Sequence, residues 1–161
     1  MFHDTLVPCA ERRNINMVNI ILISHGEFCE GLLKSLIMVT GDDYGIKTLA
    51  LYPGMTADTY REKLDQIILE NENSEGTLIL ADIVFGTPFQ SAAYMSKTHK
   101  IGLVSGMNMP MLVAVASERT ESSTLKDLIE IATNPDYHGI QGTLFEKGET
   151  KRRGKLSINK D

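Results

Sequence analysis

The chain has 161 residues, 42% hydrophobic and 23% charged, a composition typical of one globular domain rather than of a disordered or fibrous protein. Its apolar runs are far shorter than a bilayer span and its first residues lack the order of a secretory signal, so we expect a cytoplasmic protein without a membrane helix. Residues 17–146 include 17 acidic and only eight basic residues. This excess of negative charge argues against nucleic acid as a partner, because phosphate neutralisation needs a basic surface.

Composition divides the chain into three segments. The body spans residues 17–146. Residues 1–16 do not show its strand and helix patterns and are predicted to be an N-terminal extension or leader. Residues 147–161 contain six of the 16 basic residues. Such a tail could touch a membrane surface or nucleic acid, but a solvated, flexible tail is the simpler interpretation and our prediction.

Strand and helix patterns alternate along the body. The near-continuous apolar run at the first strand is typical of a strand covered on both faces. The segment 109–117 fits either a helix or a strand, and Pro110 favours a helix start. The predicted elements, in chain order, are strand Val18–Ser24, helix Cys29–Val39, strand Ile46–Leu51, helix Thr56–Glu72, strand Thr77–Val84, helix Thr87–Lys97, strand Ile101–Ser105, helix Met109–Ser117 and helix Leu125–Thr133.

This alternation predicts the α/β class, with a doubly wound, mainly parallel open sheet and helices on both faces. Open parallel sheets bind ligands beyond the carboxyl ends of their strands, where the strand order reverses. In a 2-1-3-4 order that position lies between strands 1 and 3. There Ser24-His25-Gly26 ends the first strand and Asp82 ends the third, so we expect His25 and Asp82 to face each other. A carboxylate at Nδ1 would leave Nε2 free as a nucleophile.

The segment after Asp82 predicts an anion site. Thr87-Pro88-Phe89-Gln90 fits a capping box, with Thr87 as N-cap and Gln90 reaching back. A helix start binds phosphate well, and Gly86 and Gly26 would let the backbone approach it closely. Each feature alone has a simpler structural interpretation, as a turn residue or a helix start. Together they predict phosphoryl transfer through His25, with Gly26, Gly86 and Thr87 near the phosphate.

The chain resembles the mannose-type enzyme IIA domains of the bacterial sugar phosphotransferase system over residues 17–143. The motifs that carry the resemblance are Ser24-His25-Gly26, Gly31-Leu32-Leu33-Lys34-Ser35, Gly41, Pro53-Gly54, Asp82 with Gly86-Thr87-Pro88-Phe89, and Gly106-Met107-Asn108-Met109-Pro110-Met111-Leu112. The resemblance implies that His25 accepts a phosphoryl group from HPr and passes it to enzyme IIB, with membrane subunits IIC and IID as indirect partners. It also implies that Asp82 hydrogen-bonds that histidine and that Thr87 lies near the phosphate.

The same resemblance implies a 2-1-3-4 sheet in a homodimer whose subunits exchange an extra edge strand, which would begin near Gly106–Leu112. No cofactor or metal is expected. One position departs from the family pattern, because Phe85 replaces the first of two glycines in the loop. Phenylalanine does not adopt positive φ readily, so we expect an altered loop shape or docking surface.

The remaining reactive side chains have structural interpretations. His3 and His138 are expected to face solvent, and His99 to complement the dipole at a helix end. Cys29 could line the site, although packing within the first helix is the simpler reading. The methionines of the 107–111 segment could form a partner surface, but packing in the core or a subunit interface is favoured.

Two other functions stay open. The phosphoryl-donor subunit of dihydroxyacetone kinases has a similar fold and an active histidine, although we expect its loop to lack the Thr-Pro-Phe motif. A regulatory module would be phosphorylated on His25 without passing the group on. A response-regulator receiver would need an acidic pair after the first strand, where this chain has Ser24-His25-Gly26.

Overall fold

The computed structural model describes residues 17–145 and residue 147, so the predicted extension and nearly all of the predicted tail lie outside the described residues. Strands and helices alternate through the described part, as the sequence predicts. The elements are β1 (Asn19–His25), α1 (Phe28–Thr40), β2 (Lys47–Leu51), α2 (Ala57–Glu70), β3 (Thr77–Ala81), α3 (Thr87–Met95), β4 (Ile101–Ser105), α4 (Met109–Glu118), α5 (Leu125–Thr133) and a short 3-10 turn, Pro135–Tyr137. None of the described helices is long and apolar enough to cross a bilayer.

The four described strands form one parallel sheet in the order β2-β1-β3-β4, which confirms the predicted 2-1-3-4 order. Within it, Ile23 pairs with Ala81 of β3 while His25 pairs with Leu51 of β2. The end of β1 therefore extends two residues beyond its last pairing with β3. This offset places the His25 side chain directly beside the segment that follows β3.

The core has two layers, one on each face of the sheet. Alternate β1 side chains divide between them: Ile20 and Leu22 pack with α1, α4 and α5, whereas Ile21 and Ile23 pack with α2 and α3. All four are at most 1% exposed. Burial on both faces is the physical reason for the continuous apolar run in this strand.

β3 ends at Ala81, three residues earlier than the predicted Val84. The Asp82 N–H still donates to Ile23 O at 3.2 Å, but beyond it the chain turns away from the sheet. Phe85 completes that turn in the left-handed region, at φ 70°. The apolar residues of this segment continued the strand pattern in the sequence, yet here they line an exposed loop.

The segment after β4 begins helix α4 at Met109, the interpretation that Pro110 favoured, whereas a homodimer with an exchanged edge strand stays a prediction. The Asn108 side chain caps α4 by accepting the Met111 N–H at 3.0 Å. Met107 and Leu112 are buried in the core beneath the sheet. Apolar anchoring and a side-chain cap therefore hold this segment in its own domain.

Candidate functional site

His25 and Asp82 meet at the carboxyl edge of the sheet, as predicted. The His25 Nδ1 atom lies 2.8 Å from Asp82 Oδ2, and the His25 backbone N–H donates to the same oxygen at 2.8 Å. The other oxygen, Oδ1, accepts the Ile83 N–H at 2.8 Å. The His25 side chain is 44% exposed, whereas that of Asp82 is 13% exposed. Backbone N–H groups thus fix the carboxylate in place, while the imidazole ring is open to solvent.

The Asp82 contact selects one tautomer of the ring. An ionised carboxylate can only accept hydrogen bonds, so Nδ1 carries the proton and Nε2 of the neutral ring keeps its lone pair. Partial burial by itself would raise the pKa of Asp82, but the hydrogen bonds from the His25 backbone, the His25 ring and the Ile83 N–H together hold that pKa below its ordinary value. The carboxylate therefore stays charged at neutral pH.

Ser24 shapes the turn that presents the histidine, a role that the sequence analysis missed. Its buried hydroxyl donates to Gly26 O at 2.9 Å and accepts the Cys29 N–H at 2.8 Å, which joins the turn to the first turn of α1. Gly26 adopts φ 56°, and its N–H donates to Leu51 O at 2.8 Å. A serine between a buried strand and a histidine was the only sequence signal for this role.

Gly86 lies against the ring of His25. A Cβ atom on Gly86 would be 2.3 Å from His25 Cε1 and 2.8 Å from Nε2, well inside the contact distance of real Cβ atoms. The Gly86 backbone itself is extended, at φ −77° and ψ 167°, a conformation open to any residue. Glycine is therefore required here for space rather than for backbone freedom.

The predicted capping box at Thr87 is wrong. α3 begins one residue earlier than the motif implied, with Gly86 as N-cap and no side-chain cap hydrogen bond. Gln90 reaches back as expected, but its Nε2 donates to Phe85 O at 3.3 Å instead of completing a box with Thr87. With Thr87 inside the first helical turn, its hydroxyl makes no hydrogen bond to another residue within 17–145.

Phe85 occupies the left-handed conformation that a glycine would adopt without strain, at φ 70°. Phenylalanine therefore does adopt a positive φ here, contrary to the premise of the sequence analysis. Two hydrogen bonds from Gln90 hold the turn, one from its Nε2 to Phe85 O and one from its backbone N–H to Gly86 O. The Phe85 side chain is 80% exposed, so phenylalanine in place of glycine changes the surface of the loop.

Within the described residues, the side chains of Cys29, His99 and His138 make no hydrogen bond to His25 or Asp82. Cys29 is buried in the core, as favoured, and burial is the main reason that the pKa of its thiol is raised. His99 follows the end of α3, where its N–H donates to Met95 O at 3.0 Å, and its buried ring also bonds Asp65 of α2 at 2.7 Å, a contact that the sequence analysis did not predict. His138 is exposed, as predicted. Within residues 17–145 no group of three or more His, Cys, Asp or Glu side chains is arranged to hold a metal ion.

The methionines of the 107–111 segment belong to the core, the favoured interpretation. Met107 and Met111 are each 4% exposed, and Met109 packs partly buried against the same cluster. Met107 and Met111 are therefore not available as a partner surface.

Comparison with known proteins identifies the family. The family model for the PTS system fructose IIA component matches residues 19–133, most of the described chain. This chain belongs to the mannose-type IIA family. It is 31% identical over 114 residues to the fructose-specific EIIA component of Bacillus subtilis, covering 70% of this chain and 77% of that protein. It is 28% identical over 126 residues to the mannose-specific EIIAB component of Escherichia coli, of which it covers 39%.

Solved structures of IIA proteins share the fold. The mannose/sorbose-specific IIA subunit from Enterococcus faecalis aligns with a TM-score of 0.73 at 25% identity, covering 81% of this chain and 98% of the other. An EIIA component from Streptococcus agalactiae aligns with a TM-score of 0.71 at 28% identity, covering 78% of this chain and 97% of the other. The described domain is thus a phosphotransferase-type component of a sugar transport system.

Substituting Gly86 by alanine tests the contact with the ring. The added methyl group would overlap His25 Cε1, so the ring must move by roughly 1 Å and the bond to Asp82 should lengthen or break. We expect a large change in the His25 ring ¹⁵N chemical shifts with little change in thermal stability.

Gly26→Ala is the matched control. It forces a left-handed alanine, at a cost of about 1–2 kcal/mol, but its Cβ would meet nothing within 4 Å. The Gly26 variant should therefore lose stability while the ring shifts remain those of the wild type. Unchanged ring shifts in Gly86→Ala would contradict the geometry.

Proposed function

We propose that this IIA chain is a cytoplasmic phosphoryl carrier that accepts phosphate from phospho-HPr on His25 Nε2 and donates it to an enzyme IIB. The sugar would then be phosphorylated through the membrane subunits IIC and IID. The observation that carries the proposal is the 2.8 Å contact from Nδ1 to Asp82, which leaves Nε2 unprotonated on an exposed ring. Membership of the IIA family supports it.

In the forward step the Nε2 lone pair of His25 forms a bond to phosphorus. The bond from phosphorus to the donor protein breaks, and its electron pair leaves with the donor. Because Nδ1 keeps its proton, positive charge develops on the ring as Nε2 is substituted. The Asp82 carboxylate at 2.8 Å stabilises that charge without taking the proton.

The start of α3 supplies partners for the phosphoryl oxygens. The first turn of a helix has unpaired N–H groups and the positive end of the dipole, and Gly86 brings this backbone against the ring. The Thr87 hydroxyl would donate a further hydrogen bond. The Gly26 N–H is already bonded to Leu51 O, so we assign Gly26 to the turn and to leaving space for the phosphate.

In the return step a nucleophile on IIB attacks phosphorus and the bond to Nε2 breaks. The electron pair returns to Nε2, which restores the neutral ring with its proton on Nδ1. The same hydrogen bond therefore serves both directions, and the chain itself needs no proton donor. This symmetry suits a carrier, which must release phosphate as readily as it accepts it.

Labelling tests the role of His25. With enzyme I, HPr and ³²P-phosphoenolpyruvate, the wild type should gain an acid-labile, base-stable label, and His25→Ala should gain none. Asp82→Asn should label slower by roughly 10²-fold, because it loses the negative charge that fixes the tautomer and stabilises the ring. Label should leave the wild type when IIB is added.

His138→Ala is the control, since it removes an exposed histidine far along the chain from the site. It should label at the wild-type rate. Equal labelling of His25→Ala and the wild type would refute the assignment, and a stable label that no IIB removes would favour the regulatory alternative.

We also propose that the chain forms a homodimer through the segment after the 3-10 turn. Ile140, Leu144 and Phe145 are all strongly exposed in a stretch without regular structure. Large apolar side chains grouped in this way are unusual on a monomer surface. The outer edge of β4 has no neighbouring strand among those described, so a second copy could pair there and cover this segment.

Sedimentation analysis of the full chain tests the dimer. The wild type should sediment as a dimer at micromolar concentration, and the double variant Leu144→Asp/Phe145→Asp should be monomeric because it places charge in the apolar contact. Met38→Asp, at an exposed apolar position of α1, should remain dimeric. A monomeric wild type, or a double variant that still dimerises, would count against the proposal.

A further inference from the structure

We propose that Phe85 is a docking residue for the phosphoryl-donor protein, and that the strained loop is retained for that contact. The inference rests on the proposed function, which requires a protein to bring its phosphate to His25. The inference adds Phe85 as a residue that selects the partner. At this position glycine would adopt the positive φ with less strain.

The first observation is backbone strain at a residue whose side chain gains no packing from the fold. Among the described residues other than glycine, only Tyr44 and Phe85 have positive φ, at 52° and 70°. Tyr44 packs against the core, so its side chain stabilises the fold. Phe85 is 80% exposed and gains no such packing. A bulky residue held in this conformation at a functional site indicates a use for its side chain outside the folded domain.

The second observation is where Phe85 lies. It directly precedes Gly86, whose backbone is against the His25 ring. Further exposed apolar side chains lie on the three segments that follow β1, β2 and β3; they are Phe28, Tyr52, Ile83 and Val84. We call these four residues and Phe85 the docking surface. All three segments begin at the carboxyl edge of the sheet, where His25 lies, so a protein that reaches Nε2 approaches at this edge.

The third observation is the charge of these segments. Residues 24–30, 52–57, 82–88 and 106–112, at or just after the carboxyl ends of the four strands, contain Glu27, Glu30 and Asp82 but neither Lys nor Arg. Asp58, at the start of α2, is already paired with Arg61 at 3.2 Å. An incoming phosphate adds more negative charge. A matching donor therefore carries basic groups around its phosphate. It also presents an apolar contact area to the docking surface, where the exposed ring of Phe85 offers an aromatic anchor.

Kinetics of the Phe85→Gly variant test the inference. Glycine relaxes the turn, so the thermal midpoint should stay the same or rise. The KM for phospho-HPr should rise about tenfold while kcat changes little, because the lost contact is with the partner rather than with the reacting atoms. Direct phosphorylation by phosphoramidate, a small donor that needs no docking, should proceed at the wild-type rate.

Two further variants sharpen the test. Phe85→Tyr, which keeps the ring, should restore the wild-type KM, and Met38→Ala should leave it unchanged. An unchanged KM in Phe85→Gly, or an effect confined to transfer toward IIB, would overturn the inference. A fall in thermal midpoint would also overturn it, since Phe85 would then stabilise the fold. If phospho-HPr fails to label even the wild type, the proposed function itself is wrong.

Discussion

The hydrogen bond from His25 Nδ1 to Asp82 Oδ2 is the contact on which the site depends, because it fixes the tautomer, the direction of the ring and the charge beside it. It forms because β1 and β3 are parallel neighbours, and β1 runs two residues past its last pair with β3. The backbone N–H groups of His25 and Ile83 hold the carboxylate in place. The sheet thus positions both partners through main-chain bonds, which side-chain changes elsewhere would disturb little.

Around this contact the chain gives up local stability. Gly86 contributes no side chain because the ring occupies that space, and Phe85 keeps a left-handed backbone although its side chain is exposed. Ser24 offsets part of this cost by tying the His25 turn to α1. Strain and exposure concentrate where partner proteins would have to approach, whereas the two core layers beneath are tightly buried.

The sequence predicted the fold well because its signals are local. Continuous apolar strands and amphipathic helices alternate, and the parallel topology that they imply brings the ends of strands 1 and 3 together. His25 is therefore expected beside Asp82 from the sequence alone. Contacts set by tertiary structure were missed. The hydroxyl bonds of Ser24 require a particular turn, and the pairing of His99 with Asp65 joins residues 34 apart. The capping box was also missed, because α3 begins at Thr87 with Gly86 as its N-cap rather than with Thr87 in that role.

The tautomer of His25 in the unphosphorylated protein is the most direct test of this account. Long-range ¹H–¹⁵N correlation on the ¹⁵N-labelled chain at alkaline pH should show the proton on Nδ1 and an unprotonated Nε2, and the Asp82→Asn variant should lose this clear preference. A proton found on Nε2, or rapid exchange between the two nitrogens in the wild type, would contradict the claim that Asp82 prepares His25 to carry phosphate.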